Sequence, residues 1–445
     1  MQILIIVLLS IGSISGQTSP AQKCGFTDQT FSLSKTGSPL SRDLDFLDES
    51  IVSPSGKFRV HFTRTGYHGV LDGETAGTPE FVSEAALAAD SAYTLQVDVL
   101  GFLEPVDDGD IDGPELDIYI KNWGGSYYGM TYFGSTAPSP TYLVIDNDFA
   151  EANYATSGLA ALRVTIAHEF SHMVQLRYDH PSDMGGSNIF WYEVSSVWFE
   201  EYCYPEIDDY HAYVGDNFSA NLFPALNNYN YMYGHGLFGQ ILDIEYGIRG
   251  GKHIMVEVWE NLNGSRALEN LGQTLQASPW NSSFDECFEQ YAIYNAFTGS
   301  RAVEGEYYPD AIDLPEIHTK SSVLFTDEPN IMEIQLDPYT IYYSSYSPYE
   351  QFGTFVSKTE SLPGGDLDHF QLYFPNQENY SVRRIQKNSW SDEVFIKNGV
   401  DLLHISVNSS ADMTGACRIT TIAQTDFLVL SPNPVNLAND VLKMN

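Results

Sequence analysis

The sequence is poor in positive charge. Lys and Arg number 21 against 59 Asp and Glu, a net charge of −38 at pH 7. Phosphates would be repelled along most of such a surface, so nucleic acid is excluded as a partner. An acidic surface instead favours solubility, cation binding or a salty exterior, and it leaves the fold open. Cysteine is scarce too. Cys24, Cys203, Cys287 and Cys417 are widely spaced, and no two form a CxxC pair. That spacing argues against a cysteine metal site, while the even count permits two disulfides in any of three pairings, or buried thiols. The chain also lacks any stretch of ~18 apolar residues, so no transmembrane segment is expected. It has no internal repeat and no low-complexity tract.

What is present is the composition of a folded protein. Its 445 residues are 43% hydrophobic and 13% aromatic, enough chain and core for two or three domains. The short apolar run Ile3 to Ile11, followed by Gly12, Ser13, Ser15 and Gly16, has the shape of a secretory signal cleaved near Ser15 to Gln17. Its n-region is atypical, with no Lys or Arg before Lys23. Residues 1–17 are read as a signal peptide, and export to the cell exterior is expected.

Residues 18–57 form a polar lead-in. From 58 to 313 strand and helix patterns mix. Phe58–Phe62, Leu116–Ile120 and Tyr142–Ile145 read as strands, and Pro79 to Leu100 as a helix starting near its proline. Gly124, Gly125, Tyr127, Tyr128 and Gly129 read as turns, and 210–300 as mostly helical. The arrangement is α+β. Residues 314–325 read as a linker, and 326–425 as a small all-β domain, a sandwich of short strands at Ile331–Leu336, Leu367–Phe374, Glu393–Ile396, Leu402–Val407 and Cys417–Ala423. The tail 426–445 opens with Leu430-Ser431-Pro432-Asn433-Pro434-Val435, which resembles the start of a type IX secretion sorting domain. That likeness implies attachment to the cell surface through the C-terminus. Asp108, Asp110 and Asp112 alternate as carboxylates do in the first half of a calcium loop, though Tyr119 stands where the closing glutamate belongs.

The chemistry concentrates in Thr165-Ile166-Ala167-His168-Glu169-Phe170-Ser171-His172-Met173-Val174. Two histidines four apart lie on one side of a helix and can reach one cation, here zinc. The glutamate between them is placed to handle a water on that cation as general base. Ile166, Phe170 and Met173 fall on the opposite side, and Glu169 is the run's only charged residue, so the helix is expected to be buried. A catalytic zinc needs a third protein ligand and an open position. Glu193, separated from His172 by twenty intervening residues and set on the run Trp191 to Glu201, suits a return helix. Glu200 shares its face and is expected behind the ligands, orienting one of them.

Assembled in order, these residues resemble the MXAN_6640 family of secreted zinc metalloproteases. The likeness is carried by Phe58–Phe62, Gly77–Val82, Leu116–Ile120, Tyr142–Asp148, Arg163–Gln175 with its HEFSH, Glu193-x-x-Ser196-x-Trp198-x-Glu200, and Tyr231-x-Tyr233-Gly234. Ser196 departs from the pattern, where a small apolar residue is expected. The resemblance implies a zincin-like catalytic domain, zinc on His168, His172 and Glu193, Glu169 as base, and a protein or peptide substrate. The wider group of glutamate-ligand zincins, the thermolysin and aminopeptidase N types among them, places a Tyr or His downstream to steady the transition state. Tyr231, Tyr233 and His235 are the candidates for that role. Two other readings stand beside the peptidase. One is a surface adhesin with a structural zinc, and the other a zinc hydrolase acting on a non-peptide bond such as an ester.

Overall fold

A computed structural model describes residues 22–26, 47–107, 113–220, 223–325, 329–348, 352–376, 379–391, 394–397 and 401–424. The expected signal peptide, the Asp108, Asp110 and Asp112 trio and the tail 426–445 lie outside the described residues. No helix among the described residues is long and apolar enough to cross a membrane.

The architecture is α+β, with several sheets and eight α-helices among the described residues. The first sheet takes strands β1 (Gln22–Cys24), β2 (Glu49–Val52), β3 (Phe58–Phe62), β4 (Leu116–Ile120), β5 (Tyr127–Phe133) and β6 (Thr141–Ile145), in the spatial order β1-β5-β6-β4-β3-β2. Strands β3, β4 and β6 run parallel, β5 is antiparallel to β6, and β1 runs parallel to β5. Side chains alternate across a strand, and the two faces divide accordingly. Val60, Ile118, Ile120, Leu143 and Ile145 turn to the main core, while Tyr119, Tyr142 and Val144 form a smaller cluster on the other face.

Helices α1 (Glu80–Tyr93) and α2 (Gly158–Gln175) contribute to that core. Pro79 precedes α1, and the Asp72 carboxylate accepts the amide of Glu80 at 2.6 Å and that of Phe81 at 3.4 Å, satisfying donors that a helix start leaves open. In α2 every residue from Val164 to Gln175 is buried, with Ile166, Phe170 and Met173 fully so. Each such apolar side chain contributes about 1.5–3 kcal/mol on full burial.

A helical half follows, with α3 (Ile189–Cys203), α4 (His211–Ser219), α5 (Gly236–Glu245), α6 (Ile254–Leu262), α7 (Ala267–Gln276) and α8 (Phe284–Ala296). The stretch expected as a linker is packed, with Leu314 and Ile317 buried and Ser321–Phe325 forming strand β9. Beyond it lie β10 (Asn330–Leu336), β11 (Thr340–Pro348), β12 (Phe352–Ser361), β13 (Asp368–Asn376), β14 (Asn379–Arg384), β15 (Val394–Lys397), β16 (Asp401–Asn408) and β17 (Gly415–Gln424). They form two sheets, β10-β17-β12-β15 and β14-β13-β16-β11-β9. Tyr346 of β11, Phe355 of β12 and Leu402 of β16 join the two sheets in one apolar cluster. Ile341, Tyr343, Leu372 and Leu403 extend the main core, and the Tyr343 hydroxyl donates to the Ala292 carbonyl of α8 at 2.9 Å.

One expected turn fails for a physical reason. Tyr127–Phe133 is a strand and not a turn, because Gly129 serves close packing there. A Cβ at Gly129 would come within 2.8 Å of Glu169 Cγ and Thr165 Cγ2 on α2. Thr340–Pro348 is a further strand, beyond those expected, and lies inside its sheet between β16 and β9. It is covered on both faces, with Ile341, Tyr343, Ser344 and Tyr346 all buried. The four cysteines are free thiols, with Cys24, Cys287 and Cys417 buried, which is the second of the two readings that their even count permitted.

Candidate metal centre

The heart of the molecule is where α2 and α3 face each other. His168 and His172, one turn apart on α2, both direct Nε2 at Glu193 of α3. The distances to Glu193 Oε2 are 3.0 Å from His168 and 3.6 Å from His172. Each ring is held from behind by its other nitrogen. His168 Nδ1 lies 2.6 Å from Glu200 Oε1, two turns beyond Glu193 along α3. His172 Nδ1 lies 2.8 Å from Gln175 Oε1 and 3.3 Å from Ser196 Oγ.

The Gln175 contacts settle a tautomer. Its Nε2 points at the carbonyl of Tyr192 (3.1 Å), which can only accept, and at the hydroxyls of Ser171, Ser195 and Ser196. Its Oε1 therefore faces His172 as acceptor, so the His172 proton sits on Nδ1 and the Nε2 lone pair is left for a ligand. Ser196, the departure from the family pattern, belongs to this hydrogen-bonded set. A ring nitrogen tied to a carboxylate or amide behind a metal-binding imidazole orients the ring and raises its basicity.

The electrostatics call for positive charge at the centre. Burial disfavours a charged imidazole, yet the hydrogen bonds to Glu193 and Glu200 outweigh it and push His168 up to about 10. Burial alone would raise Glu193, and His172 and His168 hold it at about 2 instead. Two atoms of His168, His172 and Glu193 remain unmatched. His172 Nε2 and Glu193 Oε1 are buried without a hydrogen-bond partner, an arrangement that costs about 1–3 kcal/mol per group unless something fills it.

One ligand atom each from Cys24, His168, His172 and Glu193 lies within 4.8 Å of the others, all four residues buried. Donors at about 2.0–2.3 Å from one zinc lie up to about 4.6 Å apart, so the set is little wider than one bound ion requires. The donor chemistry, two imidazoles with a carboxylate and a thiol, fits zinc. Cys24 is the residue that the sequence did not reveal. Wide spacing in the chain excludes a local CxxC knuckle, but it does not exclude a single cysteine brought in from another strand.

Glu169 sits beside the cluster. The Thr131 hydroxyl is 2.7 Å from Glu169 Oε2 and 2.8 Å from its carbonyl oxygen, so one proton serves both acceptors. Burial pushes the Glu169 carboxyl above its ordinary value, against the pull of His172 and His168.

The three candidate donors separate. Tyr233 is brought to the cluster, with its ring 6.3 Å from that of His168 and its hydroxyl buried without a partner. Burial, with Glu193 and Cys24 adding to it, pushes that hydroxyl well above its ordinary value, so it stays protonated and able to donate. His235 is not brought there. Its Nδ1 lies 3.0 Å from the Tyr291 hydroxyl and its Nε2 3.2 Å from the Ala225 carbonyl, and burial lowers it to about 3. Tyr231 sits half-buried on the preceding turn, where its carbonyl accepts from Asn217 at 3.1 Å.

No protein-family model matches the chain, and no curated protein matches it.

Proposed function

We propose that the protein is a secreted zinc-dependent peptidase of the MXAN_6640 type. In this reading a zincin-like lobe of sheet, active-site helix and helical half precedes a β-sandwich. The observation that carries the reading is the convergence of two imidazole Nε2 atoms on the Glu193 carboxylate while each Nδ1 is tied off behind. His168, His172 and Glu193 would hold the ion. Zinc supplies Lewis acidity and makes water acidic near neutral pH.

The chain's own residues do the rest. Glu169 takes the proton from the attacking water and hands it to the leaving amine. Its place is kept by Thr131 on one side and by the close approach of Gly129 on the other. The Tyr233 hydroxyl donates to the carbonyl oxygen as charge develops on it, the role for which a preorganised buried donor is suited. Glu200 and Gln175 keep the imidazoles aimed.

Metal analysis of the purified chain, with His172→Ala as control, tests the reading together with chelator-sensitive hydrolysis of casein. About one zinc per chain, lost in the variant, is expected. A wild-type chain without bound metal, or hydrolysis indifferent to chelator, would overturn the reading.

A further inference from the structure

Strand β1 and the two residues after it form a strap across the metal centre. Its backbone lies along the edge of β5. Gln22 N donates to the Ser126 carbonyl and Gly25 N to the Gly129 carbonyl, both at 3.0 Å, and Cys24 pairs with Gly129. Without β1, β5 would be the free edge of the sheet, and Gly129 on it touches Glu169. An open strand edge beside a hydrolytic centre is where an extended peptide docks by strand addition. Here the chain's own residues occupy it.

Each side of the strap is anchored to the centre. The Lys23 ammonium is buried, lies 2.6 Å from Glu200 Oε2 and pairs with Asp209, beside the rings of Tyr128 and Tyr213. Phe26 stacks on the His172 imidazole, with centroids 4.1 Å apart and planes 12° apart. Between them Cys24 presents its sulfur to the cluster, where His172 Nε2 and Glu193 Oε1 have no hydrogen-bond partner. A Cβ at Gly25 would fall 2.0 Å from Met130 Cε, so the tip of the Met130 side chain packs against the strap backbone there.

We propose that Cys24 is a fourth protein ligand of the metal and that residues 22–26 are an autoinhibitory strap, so the chain folds in a latent form. The inference rests on the zinc-peptidase reading. A catalytic zinc keeps its fourth position for water, and a sulfur there closes the site. As the sulfur–metal bond forms, the thiol's proton leaves to water. When the strap withdraws that bond breaks, the sulfur regains a proton, and a water molecule takes the place it left. Withdrawal also frees the β5 edge, so one movement opens the metal and the substrate strip together.

The test is cobalt(II) substitution of the full exported chain, read by absorption and by metal content. Wild type is expected to bind one cobalt and show a thiolate-to-cobalt charge-transfer band in the near ultraviolet. Cys24→Ala is expected to bind one cobalt without that band and, reloaded with zinc, to cleave casein at least tenfold faster. Cobalt bound to wild type with no thiolate band overturns this inference and leaves the peptidase reading standing. A chain that binds no cobalt overturns both. A band lost in Cys24→Ala with no rise in hydrolysis overturns the strap. Should Cys24→Ala fail to fold, the chain with Cys203, Cys287 and Cys417 all replaced by Ala must keep the band, and its loss there is equally fatal.

Discussion

Glu200 bridges His168 of α2 and Lys23 of β1. One of its oxygens is 2.6 Å from His168 Nδ1, and the other is 2.6 Å from the Lys23 ammonium. The carboxylate thus orients a ligand and holds a buried cation at the same time. Glu200→Ala is expected to weaken zinc binding by about 10–100-fold, the usual effect of losing a partner behind a metal-binding histidine. Competition against a chromogenic chelator measures it, and unchanged affinity would count against the orienting role.

Glu169→Gln tests the base. On the Cys24→Ala chain, where the strap's ligand is gone, the change is expected to leave zinc content and thermal stability near those of the parent. Hydrolysis should fall by about 10²–10⁴-fold or more, the size of a lost general base. Casein cleavage at the parent rate would show that another group takes the proton.

Tyr233→Phe removes a hydroxyl that has no partner in the resting protein. Its loss should therefore cost little stability. On the same Cys24→Ala chain kcat should drop by about 10²–10³-fold with KM nearly unchanged, as for loss of one oxyanion donor. A change confined to KM would assign Tyr233 to substrate binding instead.

Gly129→Ala is a packing probe. Its new methyl would meet Glu169 Cγ and Thr165 Cγ2 at 2.8 Å, so β5 and α2 must part. A destabilisation of about 1–3 kcal/mol is expected from overpacking, read from urea unfolding midpoints. Because the displaced atom is on Glu169, activity should fall by more than stability alone explains.

Glu201 gives a pH dependence with a definite sign. Burial pushes its carboxyl from 4.5 up to about 8, with Asp310, Asp208, Glu200 and Glu206 adding to it. Between those values the folded chain holds a proton that the unfolded chain has released. Stability from this group is therefore full below about pH 4.5 and falls as pH rises towards 8. Glu201→Gln should unfold at a higher temperature than wild type at pH 8, with the gap closing as pH approaches 4.5. Melting curves across that range that run parallel for the two chains would contradict it.

The sequence makes α2 legible for a physical reason. Ten residues with one charge, two histidines at helical spacing and an apolar opposite side describe a buried helix, and it is buried. Glu193 and Glu200 were legible in the same way, through shared-face spacing on a second helix. Gly129 misled because glycine signals a turn in isolation, whereas here it lets a helix side chain approach a strand. Thr340–Pro348 was not among the expected strands, since its burial on both faces exists only in the finished fold. Cys24 was out of reach for another reason. It stands 144 residues before His168, and only the pairing of β1 with β5 brings it to the cluster. Local periodicity carries no information about such pairings.

The pairing of Cys24 with Gly129 would also make the proposed closure all-or-none. Successive strand residues point to opposite sides, so a slip of one position would put Lys23 or Gly25 opposite Gly129. One brings an ammonium towards a place that accepts a cation, and the other brings no side chain. Neither neighbour can stand in for the thiol, so in the proposed strap alignment matters as much as the identity of the residue.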